Sequence, residues 1–408
     1  MYVTSRPAPA AVPQRLERLR AAARSVGERI GRAAPVRWMD RHPLAWRLVG
    51  GLVLVAAAWH VVSSFVVTYP DEIWQVDLEV YREGAHSLVA GRQVYDWLTD
   101  APQYLPFTYP PFAALVGIPL VLAPFRVVGW VWTAVQIALL WYCTGLAFRP
   151  LLARAHARRG LLQGLVAAAL VQLQPAQDGI RYGQVNAVIV ALCLADVVRR
   201  RAGWWPRGSL VGLATAIKLT PAVFWVHWAV TRRWHVLVVS VTAAVTATVV
   251  TALVAPSASM AYWTEALLDP NRLGPNADTA NQSIRGVLLR LGPHQGPLLT
   301  VSWAVCVLVV AVFGYRLSAR FERMGESVAV VAVMGMLAFL LSPVSWIHHM
   351  YWGIVAIGAL LGDGRRLARV AAGAAVYAVL FSRLPWTGAA MLGRRGWRHG
   401  LGLVDQQA

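Results

Sequence analysis

At 408 residues, with 57% hydrophobic and only 14% charged side chains, the chain lies outside the composition of soluble globular proteins and inside the membrane class. Its formal charge of +19 does not imply a nucleic-acid partner, because the arginines fall in short clusters between apolar runs instead of along one soluble face. Cys143, Cys193 and Cys306 sit inside apolar runs with no metal-ligand or redox spacing, and read as packing residues.

Residues 1–43 form a basic segment, with ten Arg between Met1 and Gly50 against Glu17, Glu28 and Asp40. The segment is expected on the cytoplasmic side, either with an amphipathic helix from Pro13 to Ile30 on anionic lipid or as plain disorder. Leu44 to Val67 is the first spanning helix, long enough at ~20 residues to cross a bilayer. It delivers an acidic loop, residues 68–111, to the outer face. That loop holds seven of the nineteen acids: Asp71, Glu72, Asp77, Glu79, Glu83, Asp96 and Asp100. Asp77 to Ala90 has helical character, and Pro102, Pro106, Pro110 and Pro111 are expected to end it.

Further apolar runs follow at Phe112–Phe125, Val127–Phe148, Leu161–Leu173, Val185–Val198, Leu210–Val230, Val236–Ala255, Pro297–Tyr315, Val328–Leu341, Ile347–Leu361 and Val370–Phe381. Basic clusters at 154–159, 199–201, 232–233, 316–323 and 365–369 mark cytoplasmic turns. Simple alternation then fails twice. If Phe112–Phe125 crosses fully, the cluster at 154–159 falls outside; if Leu210–Val230 crosses once, Arg199 and Arg232 cannot both be inside. Short helical pairs broken near the outer surface resolve both conflicts, and Pro221 marks one such break. The fold class is therefore all-α, a polytopic integral membrane protein of about ten to thirteen transmembrane helices, estimated from run length. A membrane domain over 44–384 lies between the basic head and a tail, 385–408. The polar stretches at Gln174–Asn186, around Lys218, at Pro256–Pro297 and at Ser342–His349 fall on the outer side, where with the acidic loop they are expected to line one cavity.

Within that cavity Asp77 is the first candidate for catalysis. Sugar transfer from a phosphate-activated lipid needs one carboxylate to take the acceptor proton, and no general acid, because phosphate leaves as a stable anion. Asp71, Glu72 and Glu79 remain alternatives. Lys218 is the single lysine against thirty-seven arginines, and an ammonium at a helix break inside an apolar run suits a phosphate oxygen. His348 and His349 project ~100° apart, so one of the two is expected to face a leaving phosphate. Asn281, Gln282 and Arg285 are spaced so that Asn281 and Arg285 share a helical face, fit for a donor phosphate or sugar hydroxyls, or else mark a helix cap. Gln184 and Asn186 open an apolar helix with amides suited to sugar hydroxyls. No metal site is expected.

The ordered stretches VDLEVYREGA, VYDW, FTYPPFAAL, RYGQVNAVIVAL, AIKLTPAVFWVHW, NQSIRGVLLRL and SPVSWIHHMYW resemble glycosyltransferase family 87, over roughly Leu44 to Leu361. The resemblance implies a GT-C type membrane glycosyltransferase that uses a polyprenyl-phosphate sugar as substrate and no cofactor. Within the family the chain is most similar to α-1,2-mannosyltransferases that use polyprenyl-phosphate mannose and a phosphatidylinositol mannoside acceptor. It implies that Asp77 matches the family's essential aspartate and that His349, or His348, matches a histidine near the donor phosphate. Lys218, Arg285, Asn281, Gln282, Tyr81, Tyr109 and Trp346 sit in the same motifs as candidate donor- and substrate-binding residues. The expected setting is the plasma (inner) membrane, multi-pass, with the site on the periplasmic or extracellular face. Two rivals stand beside this reading. One is a relative that transfers mannose or arabinofuranose to lipomannan, lipoarabinomannan or another envelope glycan. The other is a transporter or flippase for a lipid-linked sugar, which uses broken helices and intramembrane charges in the same way.

Overall fold

A computed structural model describes residues 34–68, 74–100, 103–199, 204–292 and 296–392. The expected helix from Pro13 to Ile30, and the alternative acids Asp71 and Glu72, lie outside the described residues. Within them the chain is helical, and its only strand-like pairings are two isolated bridges.

Helix α1 (Ala34–Arg41) leads into α2 (Pro43–Thr68), a 26-residue apolar helix whose length, roughly 39 Å at 1.5 Å per residue, exceeds a hydrocarbon core. Next comes α3 (Val76–Val89), entered through Gln75 in the left-handed region. It ends at Ala90, the limit expected from the sequence, with Gly91 at φ 66, where a glycine accepts the αL turn without strain. The prolines act further on, where Leu98 and Pro106 pair in an extended segment and Pro111 opens α4 (Pro111–Val116).

Phe112–Phe125 does not cross. It folds as α4 and a 3-10 turn, Ile118–Val121, interrupted by Pro119 and Pro124, before α5 (Phe125–Ala147) runs the full length. After α6 (Arg149–Ala153) comes α7 (Arg159–Leu170). Arg158 then donates two hydrogen bonds, 3.0 and 2.9 Å long, to the Asp40 carboxylate, so the cluster at 154–159 lies at the same end as the head's arginines. Arg154 donates to the Asp363 carbonyl at 2.8 Å, which brings the 365–369 turn to that end, and Arg233 pairs with Glu322 at 2.8 Å, which joins the 232–233 and 316–323 turns to each other. The broken-pair solution inferred from charge accounts for both conflicts.

The second break is just as local. α8 (Gln174–Tyr182) and α9 (Asn186–Val198) meet at 119° across Gly183, φ 72. α10 (Ser209–Ile217) stops at Lys218, and a 3-10 turn carrying Pro221 returns the chain as α11 (Val223–Val230). Trp225 donates to Ser240 of α12 (Trp234–Val254), while a Cβ on Gly212 would overlap the Ser240 carbonyl, so both halves lie against one long helix. Then follow α13 (Pro256–Ala261), α14 (Ile284–Leu291), α15 (Pro297–Arg323), α16 (Ser327–Leu341), a 3-10 turn Ile347–Trp352 leading into α17 (Gly353–Leu361), α18 (Leu367–Phe381) and α19 (Leu384–Leu392).

Among the described residues four helices, α2, α5, α12 and α15, are long and apolar enough to span a membrane, or up to six spans if the pairs α8 with α9 and α18 with α19 each count once. The larger number expected from the sequence counted short apolar runs that here fold as half-length helices. On α15 the exposed side chains Leu298, Val301, Val305, Leu308 and Val312 repeat every three or four residues. An uninterrupted apolar face of that length is a lipid-facing surface. The core centres on α9, whose Ile189, Cys193 and Leu194 are fully enclosed together with Cys143 of α5. Where α2 crosses α7, a Cβ on Gly50 would overlap the Gly160 carbonyl, so the backbones touch through glycine.

Candidate active site

The polar islands that interrupt the apolar runs are the same segments that break the helices, and the breaks bring them together. Asp77 lies in the first turn of α3, where a carboxylate is favoured by the exposed N–H groups. The Gln184 side chain, at the turn between α8 and α9, favours the charged form of Asp77. Gln184 Oε1 in turn lies 3.2 Å from Tyr81 Oη and accepts from Asn186 Nδ2 at 3.3 Å. Asn186 Oδ1 accepts from Lys218 Nζ at 3.0 Å, and Lys218 Nζ lies 3.0 Å from His349 Nε2. The Trp346 backbone N–H donates to His349 Nδ1 at 3.3 Å. One continuous polar chain therefore links four sequence motifs that are up to 272 positions apart from Asp77 to His349.

That chain also assigns protons. With Nδ1 accepting from Trp346, a neutral His349 carries its hydrogen on Nε2. The Nε2–H and the Lys218 amine, 3.0 Å apart, then leave room for a shared acceptor alongside the pair and not between them. An anionic oxygen placed there satisfies both. Of the two histidines, His349 is the one beside Lys218. The His348 ring packs edge-on to Tyr182 at 5.8 Å and its carbonyl accepts from Asn186 Nδ2 at 3.2 Å.

Among the acids, Asp77 stands apart by environment. Burial pushes its carboxyl up to about 6, against the pull of the Gln184 hydrogen bond and the Lys218 charge. Glu79, in the same turn, is raised by burial and by its neighbours Asp100 and Glu83, and so belongs to an acidic patch and not to the chain. Tyr81 and Tyr109 wall the cluster, with hydroxyls 3.0 Å apart, and Lys218 Nζ lies 5.5 Å from the Tyr109 ring centre. Lys218, Asn186, His349, Ser345, Phe339 and Trp352 are among the residues around a cavity of about 10 Å³, room for about one water.

Asn281, Gln282 and Arg285 behave differently from the shared helical face expected of them. Ser283 caps α14 by accepting from the Gly286 N–H at 3.0 Å, so Asn281 precedes the helix and does not share a face with Arg285. Asn281 Oδ1 accepts from the Ser345 N–H at 2.9 Å, and the Gln282 N–H donates to the Ser345 carbonyl at 2.8 Å. Together with the Ile347 N–H to Ala280 carbonyl bond at 3.0 Å, they bind the outer loop to the segment that carries His349. Arg285 is half-buried in the first turn of α14, and no hydrogen bond or ion pair links it to the cluster among the described residues. Trp346 is half-buried and caps the 3-10 turn.

Sequence reading passed over Gln75. Fully buried at φ 57, it donates through its N–H to the Arg181 carbonyl at 2.9 Å, and through Nε2 to the Gly129 carbonyl (3.1 Å) and Thr133 Oγ1 (2.7 Å). A lone glutamine two positions before an aspartate carries no pattern that would have revealed it.

The cluster has a definite depth. Asn186 begins α9, whose thirteen residues end beside Arg199, so the cluster lies roughly 20 Å from the basic end of the molecule.

A polytopic helical membrane protein with ionisable groups gathered between broken helices is the class that this fold and cluster define. Within that class the chain belongs to glycosyltransferase family 87, whose family model matches residues 107–343. Among its relatives is the polyprenol-phosphate-mannose-dependent α-(1-2)-phosphatidylinositol mannoside mannosyltransferase of Mycolicibacterium smegmatis, 32% identical over 79% of this chain and 77% of that protein. The counterpart of that name in Mycobacterium tuberculosis is 31% identical over 84% of this chain and 80% of its own. A third, the phosphatidylinositol pentamannoside mannosyltransferase of M. smegmatis, is 34% identical over 75% and 73%. No solved structure was found to match. Lys218, Gln184, Asn186 and the Asn281 segment fall inside the family match, whereas Asp77, His348 and His349 lie outside it.

Proposed function

We propose that the chain is an inverting α-1,2-mannosyltransferase that moves mannose from polyprenyl-phosphate mannose to a phosphatidylinositol mannoside, working at the outer face of the plasma membrane. The observation that carries this reading is the single polar chain with a carboxylate, Asp77, at one end and the donor pair Lys218 and His349 at the other. A displacement at an anomeric carbon needs a base on one side and a binder for the departing phosphate on the other.

In the proposed step, an Asp77 carboxylate oxygen takes the proton of the acceptor 2-hydroxyl. The acceptor oxygen forms a bond to the anomeric carbon as the bond from that carbon to phosphate oxygen breaks. The electron pair leaves with polyprenyl phosphate, whose oxygens accept from Lys218 Nζ and His349 Nε2. These cationic and N–H donors supply the charge stabilisation, and no metal enters the proposal. Tyr81, Tyr109, Gln184 and Asn186 border the space a sugar would fill. Asn281 and Gln282 act by holding the His349 segment, while Trp346, His348 and Arg285 are assigned to the rim of the donor site. The GT-C arrangement of ten to thirteen membrane elements, with a catalytic domain over 44–384, is part of the same proposal and counts the half-length helices. Because the cavity now holds about one water, the outer loops must separate to admit substrate.

The test is transfer by purified protein from polyprenyl-phosphate mannose to a phosphatidylinositol mannoside. Asp77→Asn should lower turnover by about 10² to 10⁴, the range for a lost general base, without loss of monodispersity. Turnover within tenfold of wild type would remove Asp77 from this role, and absence of mannosyl product with the intact protein would sink the reading as a whole.

A further inference from the structure

At the basic end of the molecule, away from the catalytic cluster, a second and larger cavity of about 260 Å³ opens between the first turns of α2 and α7. Arg47, Arg159 and His156 line it together with the apolar Pro43 and Leu44. The first turns of two helices converge there, and the arginine side chains give the cavity its positive charge.

Among the described residues nothing nearby neutralises the arginines. The neighbouring acid, Asp40, is already taken by two hydrogen bonds from Arg158, 3.0 and 2.9 Å, and one from the Trp46 indole, 2.9 Å. Among the described residues neither Arg47 nor Arg159 has a carboxylate partner. They are nevertheless held side by side, because Gly160 lies against the Arg47 backbone so closely that a Cβ there would come within 2.6 Å of the Arg47 Cα. Leu44, Leu48 and Leu52, on one exposed face of α2, run from the mouth of the cavity along the membrane span.

An uncompensated cationic cavity at the start of a lipid-facing leucine stripe matches an amphiphile with an anionic head. We propose that this cavity binds the phosphodiester of an anionic glycerophospholipid, with an acyl chain along Leu44, Leu48 and Leu52. The chain's own head is a poor occupant, since residues 1–33 carry seven Arg and two Glu and share the cavity's sign. The site is independent of the proposed transfer reaction, and its assignment stands or falls separately.

Native mass spectrometry of the full-length protein tests it, after exchange into mixed micelles of phosphatidylglycerol and phosphatidylcholine. The wild type should retain phosphatidylglycerol over phosphatidylcholine, and Arg47→Gln with Arg159→Gln should weaken retention about 30-fold, the product of two arginine contributions at an anionic surface. The single Arg159→Gln change, at an exposed position, should weaken it about fivefold and serves if the double variant is not monodisperse. Mannosyl transfer by either variant should stay within twofold of wild type, which separates loss of lipid from loss of fold. Equal retention of phosphatidylglycerol by wild type and variants overturns the proposal. So does binding of inorganic phosphate that depends on the two arginines while phosphatidylglycerol binding does not, because the ligand would then be a free anion.

Discussion

In the proposed reaction Asp77 serves as the base, and its burial has two measurable consequences. With its carboxyl raised to about 6, the unprotonated form needed for proton abstraction fills only above that pH. The pH profile of kcat/KM for mannosyl transfer should therefore fall about tenfold per unit below pH 6 and level off above it. Stability has the opposite sign. A carboxyl that holds its proton more tightly folded than unfolded stabilises at low pH, and that contribution is lost as pH rises from the ordinary 3.8 through about 6. Asp77→Asn mimics the protonated form, so in thermal melts the variant should unfold at a higher temperature than wild type at pH 8, with the gap closing toward pH 4. A variant that melts lower at pH 8 would mean that burial does not set this pKa. Gln75 fixes the start of the helix that carries Asp77 against α5. Its left-handed backbone, costing ~1–3 kcal/mol, is kept by four hydrogen bonds that include Gln75 O accepting from the Glu79 N–H at 3.0 Å. Gln75→Ala removes the two side-chain bonds to α5. It should lower kcat roughly 10- to 100-fold with little change in the donor KM, and shift the acid limb of the pH profile below 6 as water reaches Asp77. A loss of activity with an unmoved pH profile would make Gln75 a folding residue only.

At the scale of elements, the helix breaks carry the candidate site residues, and the long spans hold them in place. Lys218 ends α10, Gln184 and Asn186 flank the αL turn at Gly183, and His349 lies in a 3-10 turn, so each side chain projects from a point where the helical ladder is interrupted. This much was legible as polar islands in apolar runs, with Pro221 naming one break. The choice of His349 over His348 was not, because it depends on the 3-10 geometry and on Trp346 fixing Nδ1. The helical spacing of Asn281 and Arg285 misled for a similar reason, since Ser283 claims the cap and starts the helix later than the pattern allows. Gly164 shows an element-level constraint that composition hides. A Cβ there would overlap the Gly50 backbone across the α2 and α7 crossing. Gly164→Val must therefore push two helices apart, and should cost about 3 kcal/mol or more, read as a lower melting temperature and loss of monodispersity in detergent. Gly51, one residue from this crossing, has no atom within 4 Å of its added Cβ, and Gly51→Ala should leave the melting temperature unchanged or raise it.

Across the whole molecule, charge sorts the two ends and thereby orients the reaction. The ion pair from Arg158 to Asp40 and the bond from Arg154 to the Asp363 carbonyl gather basic turns far apart in sequence at one end, and the pair from Arg233 to Glu322 joins two more to each other. The acidic helix α3 and the polar chain from Asp77 to His349 lie toward the other. The proposed function places arginine-rich turns in the cytoplasm, and on that reading the separation sets the candidate cluster toward the outer leaflet. The same argument fixes a labelling experiment. Tyr104, exposed in the segment between α3 and α4, and Arg365, exposed in the basic turn after α17, stand at opposite ends. Of the native cysteines, Cys143 and Cys193 are buried and Cys306 is half-buried within the α15 span, which leaves a low background. A membrane-impermeant maleimide added to intact cells stripped of their outer layers should label Tyr104→Cys at once and Arg365→Cys only after the membrane is opened. Labelling of both from outside would break the single-sided grouping of the basic turns. The reverse pattern would place Asp77, Lys218 and His349 at the cytoplasmic leaflet, where a transferase of this design would have to draw its lipid-linked donor and its acceptor from the inner monolayer.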